Sequence, residues 1–469
     1  MKKYTTFNST ISFFALLFIT GIVLPLWQCT PSGSREGEKE KASYDIEEVR
    51  KELSSALTEK LLHAWYPRCM DTVNGGFISS FTYDWKPEGN QNKFIVSQAR
   101  QVWTACKAAE LFPEDPRYRK AADHGFAWLR DVMWDKEYGG FVEMVDQQGN
   151  PVANGREKRA YGNSFGIYAL AAYAKLTGTD EAINFARDAF LWLDDHAHDS
   201  VDLGYYQFLT EEGKPFKSTA IGSGETSGIP AEMYKDQNSS IHLLEAFTEL
   251  YPVWPEERLR KRLHEMLILV RDTITRDFGS LTLFLYPDWR PVDFSDSSRQ
   301  YIEQNIRTDH VSFGHDIETA FLMVEASETL GLEHDSVTLY KGKKMVDHSI
   351  KTGWDKVNGG LYDGGYYYKG EKDIVITLPA KYWWPQSEAL NALLLFGKHF
   401  PEEEYMDYYF KEWEYVNTYF IDHEHGGWYS EGLDYNAEAN KDPKANIWKT
   451  SYHTARSLMN SLKWLENPR

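Results

Sequence analysis

The feature that most constrains this chain is a Gly-centred turn that occurs six times. Each turn follows a stretch with helical spacing and leads into alternating aromatic or apolar residues. Successive turns are 64 to 81 residues apart, counted between Gly76, Gly140, Tyr205, Gly279, Gly360 and Gly427. A step of this length holds two amphipathic helices and a short hairpin, and such helix pairs bury their apolar faces only by stacking. Six pairs predict an all-α (α/α)6 barrel with short β-hairpins at one rim, in which equivalent positions converge on one axis.

The N-terminal residues differ from the repeats. Lys2 and Lys3 precede a mostly apolar run over 11–27, which is typical of an export signal. Cys29 follows directly and is the predicted lipid attachment point, although Gln28 stands where a small residue is usual before such a cysteine. An uncleaved hydrophobic anchor is the alternative. The predicted organisation is a signal peptide of lipoprotein type over 1–29, a flexible tether over 30–44 and one catalytic barrel over 45–469. We therefore expect an exported protein, periplasmic or membrane-anchored through an N-terminal lipid.

The amino-acid composition limits the kinds of molecule that the protein is expected to bind. The net charge of -19 disfavours nucleic acid, because a phosphate backbone attracts basic proteins. Aromatic residues make up 15% of the chain, and some are expected to form platforms for sugar rings. Cys69 and Cys106 are interpreted as two isolated buried thiols rather than a disulfide. The sequence leaves the oligomeric state open.

Each repeat places one residue that can transfer a proton or bind a polar group near the start of a predicted helix. These residues are Arg100, Tyr161, His242, His315, Glu388 and His453. Any one of them alone is more simply interpreted as a structural residue. A buried ring of six polar groups, however, is costly unless it serves a polar ligand. The joint placement therefore predicts a binding site for a small polar molecule on the barrel axis.

Two of the histidines are followed by a carboxylate one helical turn later. Glu245 follows His242, and Glu318 follows His315. Residues three apart share a helix face, so each carboxylate is expected to orient its imidazole and raise its basicity. The same spacing can ligate a metal. We rank that alternative lower, since zinc sites usually gather three protein ligands, and we predict no metal.

Longer motifs carry a family resemblance. They are QARQVWT (98–104), YGNSFGIYAL (161–170), NSSIHLLEA (238–246), GHDIE (314–318), WWPQSEA (383–389) and WKTSYHTAR (448–456). In combination they resemble the N-acylglucosamine 2-epimerase and cellobiose 2-epimerase superfamily over residues 50–465. The resemblance implies an (α/α)6 barrel, a carbohydrate substrate, no cofactor, and epimerisation or aldose–ketose isomerisation.

The resemblance also implies residue roles. His315 and His453 would transfer protons, with Glu318 supporting His315. The residues expected to hold and polarise the sugar are Arg100, Tyr161, Asn238, His242, Trp384, Glu388 and Trp448. Phe321 stands where cellobiose-type enzymes carry tryptophan, and its ring is expected to stack on the substrate without an indole N–H donor. Residues 223–237 also depart from the disaccharide enzymes.

The predicted reaction is cofactor-independent 2-epimerisation at the reducing end of a neutral sugar or β-linked disaccharide, through ring opening and an enediolate. Two imidazoles suit proton transfer in both directions, and Arg100 suits a developing oxyanion. The alternatives within the class are a mannose-type aldose–ketose isomerase and an N-acylglucosamine 2-epimerase. Outside the class they are an exported glycoside hydrolase using Glu388 with Glu318 or Asp316, and a non-catalytic sugar-binding lipoprotein.

Overall fold

A computed structural model describes residues 44–216, 235–332 and 334–466. The predicted signal peptide with Cys29, and the tether up to residue 43, lie outside the described residues, as does most of the 223–237 segment. Within the described ranges, no helix combines the length and apolar character that a membrane crossing requires. Cys69 and Cys106 are both buried free thiols, as predicted.

Twelve helices of ten or more residues alternate between two layers in the described ranges. In chain order they are α1 Ile46–Ser55, α2 Ile95–Leu111, α3 Pro116–Trp128, α4 Ala160–Thr177, α5 Asp180–Ala197, α6 Gln237–Leu250, α7 Glu257–Ile268, α8 Phe313–Thr329, α9 Ser336–Gly353, α10 Trp383–His399, α11 Tyr405–Tyr419 and α12 Tyr452–Glu466. Three odd-numbered helices continue through wider π-type turns, over Ala56–Leu62, Leu129–Met133 and Leu269–Ile274.

Burial separates the two layers. The even-numbered helix α2 buries 14 of its 17 residues, whereas the odd-numbered α5 buries 8 of 18 along one stripe. A helix buried all round belongs inside and one with a single apolar stripe belongs outside. Each inner helix contacts the next one, and α12 contacts α2 to close the ring. The predicted (α/α)6 barrel is confirmed.

The two layers begin their helices differently. Most outer helices have a side-chain cap that accepts a backbone N–H, provided by Asp45, Asp115, Thr179, Glu256 and Asp335. The inner helices α2, α4, α8 and α10 begin without such a cap. Their first-turn side chains are therefore not used for capping and can face the barrel axis.

Short antiparallel strands form the rim at the N-terminal ends of the inner helices, as predicted. The pairs are Lys93–Phe94 with Met144–Val145, Lys158–Arg159 with Phe208–Leu209, Lys235–Asp236 with Phe284–Leu285, and Val311–Ser312 with Gly364–Tyr366, which also pairs with Val375–Leu378. Each first strand runs directly into an inner helix. The strands thereby fix the height at which α2, α4, α6 and α8 start.

The Gly-Gly turns are required by close packing and by backbone conformation. Gly76 has a φ of 63°, and a Cβ there would lie 2.7 Å from Gln98 Oε1 and 2.8 Å from the Trp128 ring. The turn also begins with Asp71, whose Oδ1 accepts the backbone N–H groups of Val73 and Asn74. Only glycine fits this combination, which is why the turn marks the repeat.

In five of the six repeats a buried lysine joins the turn to the segment before the next inner helix, an arrangement we call the lysine clamp. Lys93 Nζ lies 3.0 Å from Asp71 Oδ2 and 4.3 Å from the centroid of the Trp128 ring. The other clamps are Lys158 with Asp135, Lys235 with Asp199, Lys381 with Asp355, and Lys444 with Asp422. The carboxylate and ring together compensate the burial of the ammonium group.

The fourth repeat lacks the clamp. Arg276 occupies the position of the turn aspartate, because its backbone N–H donates to Ser280 O as that of Asp71 donates to Gly76 O. Val311 occupies the position of the lysine, since it pairs with Gly365 in the register in which Lys93 pairs with Val145. Both charged partners are replaced together. This is consistent with the high cost of leaving one buried charge unpaired.

Candidate active site

The polar residues predicted from the repeat converge on one cleft at the rim end of the inner helices. The residues lining it are Arg100, Tyr161, Asn238, His242, His315, Glu318, Trp383, Trp384, Trp448 and His453. The cleft opens into a wider cavity of about 440 Å³ that shares Asn238, His315 and the three tryptophans. Nine predicted residues are therefore brought together; Glu388 and Phe321 are positioned differently.

Glu388 lies behind His453 rather than in the cleft. Its Oε1 accepts a hydrogen bond from His453 Nδ1 at 2.5 Å, and its Oε2 accepts one from Asn391 at 3.0 Å. The expectation that Glu388 holds the sugar is corrected, because its side chain is fully buried by these contacts. Glu388 instead fixes the ring orientation of His453, leaving Nε2 free of that bond.

His453 is held as a neutral imidazole. Burial, with the nearby guanidinium groups of Arg100 and Arg456, lowers the pKa of His453 well below its usual range. Desolvation and neighbouring positive charge both disfavour the imidazolium form. At neutral pH the ring can therefore accept a proton.

His315 has a different partner from the one expected. Its Nδ1 lies 2.8 Å from the hydroxyl of Ser312, the residue directly before α8. Burial, together with His242 and His310, lowers the pKa of His315 well below its usual range. The prediction that Glu318 supports His315 is wrong, because Glu318 bonds to Arg456 instead. Sequence spacing placed Glu318 on the correct face but did not identify its partner.

His242 forms the expected pair. Its Nδ1 lies 2.8 Å from Glu245 Oε2. Burial acts to raise the pKa of Glu245, but Arg456 and His242 outweigh it and lower that pKa to about 2. Glu245 is therefore a carboxylate that orients His242 in the cleft wall.

Arg100 connects two predicted substrate-contacting residues. Its guanidinium donates to the backbone carbonyl of Trp448 and to the Tyr161 hydroxyl, both at 3.2 Å. The same group lies 4.4 Å from the centroid of the Phe165 ring. These contacts fix a permanent positive charge in the cleft.

Arg456 is the central residue that sequence reasoning missed. It contacts Glu245 through Nη1 and, through Nη2, contacts Glu318 at 2.7 Å and Glu388 at 2.8 Å. The three glutamates belong to α6, α8 and α10, so one guanidinium from α12 joins four inner helices. A signal was available: Arg456 follows His453 at the spacing of the His–Glu pairs, with a cation in place of the carboxylate.

Phe321 is also positioned by Arg456. The guanidinium lies 5.2 Å from the centroid of the Phe321 ring, and Phe321 is fully buried. The expectation that this ring stacks on a substrate is therefore corrected. Phe321 supports the guanidinium from below the cleft.

Three groups lie close enough together to suggest a metal site. Ligand atoms of Glu318, Glu388 and His453 lie within 4.8 Å of one another. Arg456 Nη2, however, contacts both carboxylates and already supplies the positive charge that a cation would bring. Burial and the neighbouring Glu388 raise the pKa of Glu318, and burial raises the pKa of Glu388, which reduces the negative charge further.

We therefore expect activity to survive prolonged chelation. Protein dialysed against EDTA should keep the turnover of untreated protein, and elemental analysis should find no stoichiometric divalent metal. The control is the same protein after adding back Mg²⁺, Mn²⁺ or Zn²⁺. Activity lost on chelation and restored by one metal would contradict this assignment of the charge to Arg456.

Comparison with known proteins agrees with this geometry. The sequence profile of the family N-acylglucosamine 2-epimerase (GlcNAc 2-epimerase) matches residues 76–457. A cellobiose 2-epimerase of Bacteroides fragilis is 28% identical over 421 residues, covering 88% of this chain and 98% of the relative. A D-mannose isomerase of Marinomonas mediterranea is 25% identical over 409 residues, covering 87% and 95%. The structure of a cellobiose 2-epimerase from Spirochaeta thermophila superposes with a TM-score of 0.75 at 27% identity, covering 90% and 98%. The chain belongs to the N-acylglucosamine 2-epimerase family.

Proposed function

We propose that this enzyme, a carbohydrate isomerase, is a sugar 2-epimerase that acts on the reducing end of its substrate. The observation that carries the proposal is a pair of imidazoles beside one indole ring. The centroids of His315 and His453 lie 4.6 Å and 6.0 Å from that of Trp384. A sugar stacked on Trp384 would therefore lie beside both imidazoles, each of which can transfer a proton.

The proposed reaction starts with ring opening, which exposes the aldehyde at C1 and makes the C2 hydrogen acidic. One imidazole removes the C2 proton, and the electron pair forms an enediolate whose oxygen charge Arg100 stabilises. The second imidazole takes up a proton from water while the enediolate charge lies beside it, and it then returns that proton to the opposite face of C2. Proton exchange with water then restores both rings, so atoms and charge balance over the cycle.

The cleft argues against a hydrolase. Glycoside hydrolases need two carboxyl groups that flank the scissile bond, about 5 to 9.5 Å apart. Glu318 and Glu388 instead contact the same nitrogen of Arg456. A sugar unit cannot lie between two carboxylates that contact the same guanidinium nitrogen. Among the described residues, Asp316 also faces away, because it accepts the backbone N–H of Leu281.

We propose a β-linked disaccharide as the substrate. The cavity of about 440 Å³ that opens from the catalytic cleft would hold a sugar unit beyond the reacting one. Several buried polar atoms around that cavity have no partner in the described part of the chain: Gln237 Oε1, Asn238 Oδ1 and His310 Nδ1. Sugar hydroxyl groups can satisfy such atoms. N-acylglucosamine and free mannose are the alternatives.

Isotope exchange tests the class of reaction. In deuterated water, a panel of reducing sugars should give an epimerised aldose carrying deuterium at C2, mapped by NMR. Deuterium at C1 of a ketose would instead assign the mannose-type isomerase outcome, which shares the enediolate. Release of a monosaccharide from a glycoside with no such exchange would refute the epimerase assignment.

We also propose that the protein is exported as a lipoprotein. The support is sequence only: the basic and apolar N-terminal pattern followed by Cys29. Fractionated cells should contain a membrane-attached form that becomes unattached, yet remains exported, in a Cys29→Ala variant with a conventional cleavage site. Recovery of the full-length protein from the cytosol, with an intact N-terminus and no acyl group, would contradict the proposal.

A further inference from the structure

A second cavity lies at the fourth repeat, where the lysine clamp is missing. We call it the outer cavity; its volume is about 350 Å³ and its lining residues are Arg276, Phe278, Asp293, Ser295, Asp309, Val311, Tyr366 and Tyr367. Val311 is the residue that replaces the clamp lysine. The exchange of a long charged side chain for a short apolar one is thus associated with open space.

The outer cavity has a polar inner end. Asp309 is only 5% exposed. Its Oδ2 accepts hydrogen bonds from the Phe294 backbone N–H at 2.7 Å and from the Tyr366 hydroxyl at 2.8 Å. Its Oδ1 has no hydrogen-bond partner in the described ranges. An unsatisfied buried carboxylate oxygen is costly. It marks a position where a ligand donor would be stabilised.

The mouth of the outer cavity is aromatic and exposed. Phe278 is 47% exposed and Tyr367 is 39% exposed. Their rings lie 5.5 Å apart at 78°, and the Tyr367 hydroxyl lies 2.8 Å from His348 Nε2. A partly immobilised aromatic ring at a cavity mouth provides a flat apolar surface with little further entropy to lose on binding.

The charge of the lining favours a neutral polar ligand. Arg276 stands among the carboxylates Asp293 and Asp309, so the cavity offers both hydrogen-bond donors and acceptors rather than one sign of charge. An aromatic mouth combined with a carboxylate and a guanidinium matches a sugar, which has an apolar ring face and hydroxyl groups that both donate and accept. The volume is at the low end for ligand cavities, which suits one or two sugar units.

The outer cavity is separate from the catalytic one. Asp309 and Val311 line the outer cavity, whereas His310 and Ser312 line the cavity beside the catalytic cleft. The residues that line the two cavities alternate along 309–312, so the cavities lie on opposite sides of this segment. A ligand in one does not occupy the other.

We propose that the outer cavity is a second carbohydrate-binding site, with the sugar face on Phe278 and Tyr367 and a hydroxyl group donating to Asp309 Oδ1. The proposal does not depend on the reaction that the cleft performs. It concerns binding without turnover, and the two can be measured independently.

The test uses three sugars with no free reducing end: methyl β-cellobioside, trehalose and methyl α-mannopyranoside. Calorimetric titration of the full-length protein should show, for at least one of them, a binding event that Trp384→Ala leaves intact. Phe278→Ala and Tyr367→Ala should each weaken that event by about 10-fold, the scale of a lost stacking surface. Asp309→Asn should weaken it as well, and turnover of Phe278→Ala on a reducing disaccharide should be unchanged.

Tyr435→Ala is the matched control, because Tyr435 is 49% exposed and lies outside the outer cavity; it should bind like the unmodified protein. The proposal is overturned if none of the three sugars binds, if Trp384→Ala abolishes all binding, or if both Phe278→Ala and Tyr367→Ala bind normally. A soaked crystal should show the sugar against Phe278. Density confined to the catalytic cleft would also overturn the proposal.

Discussion

Alanine at His453 or at His315 should lower kcat by about 100-fold or more, the low end for the loss of a general acid–base group. Each variant keeps one imidazole, so a proton can still be removed or returned on one face of C2 but not on both. Substrate affinity should change much less. Steady-state kinetics on a reducing disaccharide, with kcat and KM determined separately, measures the effect.

Two variants provide controls for this prediction. Trp384→Ala should mainly raise KM, because it removes a stacking surface and leaves both imidazoles in place. His198→Ala removes a histidine that is equally buried and also paired with a glutamate, since His198 Nε2 lies 2.9 Å from Glu265. It should not change kcat for the folded enzyme. Near-normal turnover in both catalytic histidine variants would refute the proton-transfer assignment.

Replacing Arg456 with methionine should have the largest effect on stability. The change leaves Glu245, Glu318 and Glu388 buried without their shared cation, and breaking a buried ion pair costs about 3–5 kcal/mol. Turnover should fall too, because Glu388 would no longer be held in place to orient His453. Denaturant unfolding and steady-state kinetics on the same preparation test both effects.

The defect should depend on pH in a stated direction. Without Arg456, the pKa of Glu245 is no longer held at about 2, and the pKa values of Glu318 and Glu388, already above the usual range, rise further. Such groups favour the folded state when protonated, so the variant should lose stability as pH rises through the unfolded and then the folded pKa. The stability gap to the unmodified protein should therefore be larger at neutral pH than at mildly acidic pH.

Matched substitutions separate this network from a general loss of charge. Arg130 also contacts two carboxylates, Asp131 and Glu181, but its side chain is 37% exposed. Arg130→Met should cost about 0–1 kcal/mol, as surface ion pairs do. Arg456→Lys keeps the charge but cannot reach three carboxylates with one planar group, so it should give an intermediate loss. Equal effects of Arg456→Met and Arg130→Met would contradict the role given to Arg456.

The barrel and the location of its cleft could be predicted from sequence because both follow from the repeat. Six equivalent turns define six helix pairs, and equivalent residues such as Arg100 and His453 must then meet near the axis. The pairing of His242 with Glu245 was predictable for the same reason, since both lie on one face of α6. These features follow from local spacing or from the six-fold repeat, and both can be read from a single sequence.

Contacts between different inner helices could not be predicted in the same way. Glu318 and Glu245 have the same spacing from a histidine, yet only Glu245 bonds to its own histidine. The difference arises because Arg456 reaches across from α12, and the sequence gives no distance across the ring. For the same reason, Glu388 and Phe321 were expected from the sequence to contact a substrate, whereas in the structure both support other side chains.

The way the ring closes has a consequence for folding. The last inner helix α12 carries both His453 and Arg456, and it packs against α1; Arg50 Nη2 contacts Glu466 at 3.4 Å across 416 positions of sequence. Contacts so distant along a chain form late, because closing the long loop costs conformational entropy before the contacts can stabilise the fold. Recovery of catalytic activity during refolding should thus report the final ring-closing step. Helix formation, which is local, can be complete well before the enzyme works.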